Sequence, residues 1–457
     1  MYDLSSLDAL FETNKNQILN DYFELLRFKT IAADESSKGE MIGCVLWLKN
    51  YLTNAGFSAE IIHASPHPQI VLASWDKAGK TKPTILLYGH YDVQPVDPLE
   101  LWTTPPFEPH IRDNKVYARG ANDDKGQFFS VISAVVCILK KEGTLPVNVK
   151  IILEGDEEIG SLGLTKIVSS IQDKIKADYL AVIDVGIKSE NQPSVTVGTR
   201  GVVSLTLELT EGNTDLHSGL FGGIAYNPNR ALAEIIASFY DKNGKVLVPG
   251  FYDDVEMPPL DELKVLDMEV DKSVLKSQYD LDGTGGEQEF ELGVRRNLRP
   301  TLEINGISGG YSGSGIKTVI PQKAIAKISA RIVKNQNGRK VVQAICDHIK
   351  AKMPPGIKYS FIIHENDSMA FRSSPDSKIC KACNSAFSEV CNKECITVLN
   401  GATIPIVPFL TQYSGAETVL IGYGLDSDKV HAPNEHFGLD RFKKSFLTAG
   451  LILRELV

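Results

Sequence analysis

Five short polar segments carry acids or histidines, mostly at the ends of apolar runs. They read YGHYDVQP (88–95), RGANDDKG (119–126), EGDEEIGS (154–161), AVIDVG (181–186) and KVHAPNEHF (429–437). They offer His90 and His431 (His436 lies near the latter), with carboxylates at Asp92, Asp123, Asp124, Glu157, Glu158 and Asp184. Neutral nitrogen with hard oxygen, and no required sulfur, suits a catalytic two-zinc or zinc–manganese centre. Two adjacent divalent ions with one free carboxylate can hydrolyse an amide.

The residue types suggest separate roles. His90 and Asp92 stand two apart after TILLYG, so in a continued strand they share a face. Asp92 can then accept the second ring N–H of a metal-binding His90; alone, the pair also reads as a hydrogen-bonded histidine at a strand end. Asp123 suits a bridge between two metals. Asp124, at the start of a helical pattern, reads as that helix's cap. Glu157 and Glu158 are adjacent and cannot share one role: one neutralises metal charge while the other accepts a proton from an activated water. Asp184 closes the run YLAVID as a ligand or a loop cap.

The elements that must position these residues alternate. Helical patterns near 15–28 and 40–54 precede β-like runs at 70–75, 84–90, 149–155 and 179–184, with an apolar helix over 126–141. Such alternation predicts an α/β fold, a mainly parallel mixed sheet with helices on both faces. Ligands in such sheets gather at the carboxyl ends of strands, where His90, Glu157, Glu158 and Asp184 fall. The pattern changes near Val197. TRGVVSLTLELTEG and KAIAKISARIV alternate polar with apolar, and helices over 225–240 and 338–352 accompany them. A smaller α+β unit over 199–366 is therefore expected to interrupt a catalytic unit made of 1–198 and 367–457. Cys380, Cys383, Cys391 and Cys395 superficially resemble a zinc site, but Ile379, Cys383 and Phe387 line one stripe of a helix starting near Pro375, so they read as core or surface thiols.

YGHYDVQP, LWTTPPFEP, RGANDDKG and EGDEEIGS together resemble the di-zinc metallopeptidases that include carnosinase, cytosolic nonspecific dipeptidase, glutamate carboxypeptidase and aminoacylase. The resemblance runs along nearly the whole chain and is closest to the dipeptidase branch. It implies that His90 and Asp184 bind one Zn²⁺ (or Mn²⁺), Glu158 and His431 the other, and that Asp123 bridges them. Asp92 would orient His90, and Glu157 would be the general base for a water or hydroxide shared by the ions. It further implies that His217 in DLHSG polarises the scissile carbonyl, often across a homodimer. Thr318 in KTVIP would be a polar contact near the same place. Arg331 in SARIV would grip the C-terminal carboxylate of a small peptide, with Thr403 in GATIP beside it. The smaller unit would then be a lid and dimerisation domain, and the peptide bond after Asp123 would be cis. Ala402 stands where a second glycine is usual. The implied activity is hydrolysis of dipeptides or short peptides with a free carboxylate. The alternatives are an N-acyl amino-acid deacylase on the same scaffold and, remotely, a metal-free binding relative.

The bulk properties fit. A chain of 457 residues with 43% apolar and 23% charged residues predicts two or three globular domains. A net charge of −9 argues against nucleic-acid or anionic-membrane surfaces. The acidic start MYDLSSLDALFETNKNQ lacks a signal-peptide pattern, and no apolar run reaches membrane-spanning length. With seven cysteines, an odd number, free thiols and a cytoplasmic location are expected.

Overall fold

The apolar runs form neighbouring strands in a computed structural model that describes residues 2–364 and 368–457. Thr84–His90 lies between Asn148–Glu154 and Tyr179–Ile183 and is parallel to both. These three are the centre of a ten-stranded sheet. Beyond Asn148–Glu154 come Ile70–Trp75 and Ser58–Ile62, both antiparallel to their neighbours. Beyond Tyr179–Ile183 come Glu417–Ile421, Ser194–Thr199, Ile396–Asn400 and the short strand Leu266–Asp267.

Alternating side chains of the central strands enter two cores. Ile85, Leu87, Val149, Ile151, Leu153, Ala181 and Ile183 pack with residues of the helices Leu4–Arg27, Lys38–Asn54, Lys125–Glu142, Lys378–Cys391 and Leu439–Glu455. Leu86, Tyr88, Ile152, Leu180 and Val182 pack on the opposite face against Leu164, Ile171, Val407 and Leu410. Burial on both faces explains why these strands read as continuous apolar runs.

The first helix begins at Leu4, well before the expected start near residue 15. Asp3 accepts from Ser6 N–H at 2.8 Å and its own N–H donates to the Ser6 hydroxyl at 3.0 Å, a capping box. Leu7, Leu10 and Phe11 extend its buried stripe, and the polar run 13–17 lies mostly on its outer side. The cysteine-bearing segment is helical over Lys378–Cys391 with Ile379, Cys383 and Phe387 buried. All seven thiols are free, and among the described residues none joins a metal-compatible group.

A second, four-stranded sheet has the order Thr301–Gly309, Lys323–Ile332, Gly201–Thr210, Lys358–Ile363, all antiparallel. Val203, Leu205, Leu207 and Leu209 face inward with Ala324, Ala326, Ile328, Ala330 and Ile332. The helices Pro228–Ala237 and Gly338–Ala351 cover them. The chain enters this sheet at Arg200, directly after Ser194–Thr199 of the large sheet. The expected return at 366/367 lies outside the described residues. A stretch between those points, including Leu266 and Leu298, packs against the large core rather than the small one.

Candidate metal centre

The parallel register sets the site. His90 ends its strand opposite Glu154. The next turn of chain carries Glu157 and Glu158, and Asp184 follows Ile183 on the other neighbouring strand. Asp123 approaches from the loop before helix Lys125–Glu142. His431, with φ of 62°, approaches from the loop before strand His436–Gly438. That strand pairs with Lys115–Tyr117, just upstream of the Asp123 loop, so two segments over 300 residues apart meet.

Asp123 lies between the two histidines. Its Oδ1 is 3.0 Å from His90 Nε2 and its Oδ2 is 2.8 Å from His431 Nε2. Asp184 Oδ1 is 3.7 Å from His90 Nε2, and Glu158 Oε2 is 3.3 Å from His431 Nε2. Two groups compatible with a metal ion result: His90, Glu157 and Asp184 in one, Asp123, Glu158 and His431 in the other. Asp123 thus belongs to the second group and also reaches the histidine of the first. Glu158 Oε1 is buried with no hydrogen-bond partner among the described residues, an orphan acceptor that a cation would satisfy.

Asp92 is fully buried. Its Oδ1 faces His90 Nδ1 at 3.2 Å, and its carboxylate accepts from the backbone N–H groups of Glu157 (3.3 Å) and Glu158 (3.0 Å). The Asp92 backbone carbonyl also faces His90 Nδ1, at 3.1 Å, so carbonyl and carboxylate together orient the imidazole while the carboxylate pins the acidic turn. Asp124 occupies the cap position but makes no side-chain cap bond. Its Oδ2 instead accepts from His90 N–H at 3.1 Å, because the fully buried carboxylate points at the strand end rather than at its own helix. The Asp123–Asp124 peptide bond is cis.

The electrostatics of the cluster are set by burial and by the mutual charge of its acids and imidazoles. Burial works against a charged His90, but hydrogen bonds to Asp123, Asp184 and Asp92 outweigh it and raise its pKa well above the ordinary value. Hydrogen bonds to Asp123 and Glu158 raise His431 to about 10. Burial pushes Asp123 up, yet His431 and His90 together hold it below the usual range. Burial, then the charge of Asp184, raises Glu157 well above normal, and burial raises Asp184 to about 6. With neutral imidazoles the same donor set fits divalent cations.

Three residues that the sequence reading missed hold this arrangement. Glu435 is fully buried. Its Oε1 accepts from the N–H groups of Asn122 (2.9 Å) and Asp123 (3.0 Å). Its Oε2 accepts from Gly120 N–H (3.1 Å) and Arg119 Nη1 (2.7 Å). Asp428 accepts from Asn122 Nδ2 at 2.8 Å and pairs with Arg441. Gln94 Nε2 donates to Glu158 Oε2 at 2.8 Å. The only signals were Glu435 within KVHAPNEHF and Gln94 within YGHYDVQP.

The other expected residues form two separate groups. Arg331 Nη1 donates to Thr403 Oγ1 at 2.7 Å, both partly buried. His217 and Thr318 lie on adjoining chain segments, with Ser218 N–H donating to Thr318 O at 3.1 Å and both side chains exposed. Among the described residues, no hydrogen bond or ion pair joins either group to the histidine–carboxylate cluster.

Residues 86–454 match the model of peptidase family M20/M25/M40. The chain is 32% identical to the human Beta-Ala-His dipeptidase over 427 residues, 90% of this chain and 81% of that one. It is 29% identical to the Cys-Gly metallodipeptidase dug1 of Schizosaccharomyces pombe, covering 96% of each. Among solved structures, the M20 family metallo-carboxypeptidase Sso-CP2 of Sulfolobus solfataricus superposes with a TM-score of 0.85 at 30% identity, over 96% of this chain and 99% of that one. The chain therefore belongs to peptidase family M20/M25/M40, a family of metal-dependent peptidases, and carries two groups of imidazole and carboxylate donors that could hold metal ions.

Proposed function

We propose that this protein hydrolyses dipeptides or short peptides with a free C-terminal carboxylate, using two divalent ions, Zn²⁺ or Mn²⁺. The observation that carries the reading is Asp123, a member of the Glu158–His431 donor group, which turns one oxygen toward His431 and the other toward His90 of the second group. His90 and Asp184 would hold one ion, Glu158 and His431 the other, with Asp123 common to both. When bound, the ions acidify water and polarise a carbonyl.

The chain's own residues supply the rest. Glu157, held at high proton affinity by burial and by Asp184, takes a proton from the attacking water and later gives it to the leaving amine. Asp92 keeps His90 in its working tautomer and fixes the backbone of Glu157. Arg331, with Thr403, receives the substrate's terminal carboxylate. His217 donates to the developing oxyanion. The proposed arrangement is a homodimer in which His217 serves the partner's site; the exposure of His217 and Thr318 leaves both free to meet another chain. The proposed organisation is a catalytic unit of residues 1–198 and 367–457 and a lid and dimerisation unit of 199–366. The proposed location is the cytoplasm, and the acidic charge balance argues against nucleic-acid or anionic-membrane partners; no described helix is long and apolar enough to cross a membrane.

The test is hydrolysis of a small panel, including Ala-Ala, Gly-Leu and N-acetyl amino acids, by metal-stripped protein with and without Zn²⁺ or Mn²⁺. Metal-restored cleavage of dipeptides, lost in a Glu157→Ala variant that still binds metal, supports the reading. Cleavage of the N-acetyl amino acids alone would make the protein a deacylase instead.

A further inference from the structure

The chain passes from the large sheet to the small one through a single residue, Arg200, between Ser194–Thr199 and Gly201–Thr210. Arg200 meets the loop after strand Ile396–Asn400 at three successive residues. Its backbone N–H donates to Ala402 O at 3.2 Å, its Nε–H donates to Gly401 O at 3.1 Å, and its carbonyl accepts from Thr403 Oγ1 at 2.6 Å. The Thr403 hydroxyl oxygen accepts in turn from Arg331 Nη1 at 2.7 Å. Arg331 belongs to the small sheet, paired in register with Val202 two residues beyond Arg200. Both roles of the Thr403 hydroxyl are therefore set, its hydrogen by Arg200 and its oxygen by Arg331.

Packing leaves this loop little freedom. A Cβ added at Gly401 would lie 3.1 Å from Arg296 O and 3.3 Å from Arg200 Nη2. Burial, then the neighbouring charge of Arg331, hold the Arg200 guanidinium down at about 10. Its Nη1 is buried with no hydrogen-bond partner among the described residues. The Arg331 guanidinium is bonded to the Thr403 hydroxyl and the Arg200 guanidinium to the Gly401 carbonyl of the same loop. Arg296 adds to the positive charge around Arg200 and Glu303 offsets part of it, so the spare Arg200 donor lies where positive charge suits a carboxylate.

We propose that Arg200 is a positioning residue for substrate selection: it holds the 401–403 loop at the crossover between the sheets, so that Thr403 and Arg331 present a preset seat for a peptide's terminal carboxylate. This rests on the reading of Arg331 and Thr403 as that seat. Two of the three anchors use the Arg200 backbone and survive substitution, so the side chain can be tested without dismantling the crossover.

The experiment compares Gly-Leu with Gly-Leu-amide on the metal-loaded enzyme, the amide scored as an inhibitor if it is not turned over. Arg200→Met is expected to raise KM for Gly-Leu by about 10- to 30-fold with kcat within about threefold, as for a lost charged hydrogen bond. The constant for the amide is expected to stay nearly unchanged. Arg200→Lys, which keeps charge but lacks the planar Nε–H, should fall between. An equal loss for acid and amide in both variants, or no change in either, overturns the proposal. Arg331→Met is the control: if it leaves the preference for acid over amide intact, the carboxylate seat itself is wrong and this inference falls with it. That outcome is distinct from an effect at Arg331 with none at Arg200.

Discussion

Replacing Glu435 with glutamine keeps the shape of a buried side chain but removes the charge that organises the Asp123 loop. The amide oxygen can retain the Asn122 and Asp123 N–H groups at 2.9 and 3.0 Å. The amide NH₂ then faces two donors, Gly120 N–H and Arg119 Nη1, which the carboxylate accepted at 3.1 and 2.7 Å. Arg119 is itself buried. Stranding one member of a buried ion pair costs about 3–5 kcal/mol. The loop can shed part of that by shifting, and the shift displaces Asp123. An outer-shell loss of this kind weakens metal binding by about 10- to 100-fold, equivalent to ~1.4–2.8 kcal/mol. Competition with a chelating dye for Zn²⁺ at fixed pH, with thermal unfolding alongside, measures both parts. A variant that melts lower but binds Zn²⁺ within about twofold of the parent would refute the reasoning. Glu435 would then serve folding and not the metal centre.

Other consequences are simpler. In metal-free protein His431 is raised from 6.5 to about 10 by Asp123 and Glu158. Its contribution to stability is therefore complete below about pH 6.5 and lost as pH rises through about 10. Asp184, raised from 3.8 to about 6, acts with the same sign at lower pH. The melting temperature of chelator-treated protein should fall across this range, less so at high salt because His431 is half exposed. Zn²⁺ should flatten the profile, and equal slopes with and without metal would count against the paired site. At Gly126 an added Cβ would lie 1.9 Å from Ala121 O, which already accepts from Tyr22 Oη at 2.6 Å. Gly126→Ala should thus destabilise by about 1–3 kcal/mol through overpacking, and unchanged denaturant stability would show that the loop yields. Six of the seven thiols are buried and Cys391 is only partly exposed. A thiol reagent should therefore label at most one cysteine quickly in native protein, and rapid labelling of several would contradict the packed helix.

Much of this was legible because the signals are local. The apolar strands 84–90 and 179–183 carry continuous hydrophobic runs, and a strand's period places His90 and Asp92 without knowledge of the fold. The acids stand where such strands end. The first helix was cut short because the polar run 13–17 masks a stripe that continues on the far side. Asp124 was misjudged because its position fits a cap, while its carboxylate turns toward His90 N–H, a preference only tertiary contact creates.

The sequence alone determined the donor types, their placement at strand ends, and the change from a doubly covered sheet to a half-covered one, since each follows from the chemistry or period of neighbouring residues. Tertiary structure decided which carboxylate lies between the two histidines, that Glu435 gathers the Asp123 loop, and that Arg200 ties Thr403 to the crossover. Those facts join residues up to 316 positions apart. Buried polar partners are chosen by which loops meet in space, and nothing in the residues flanking Glu435 or Arg200 encodes that meeting.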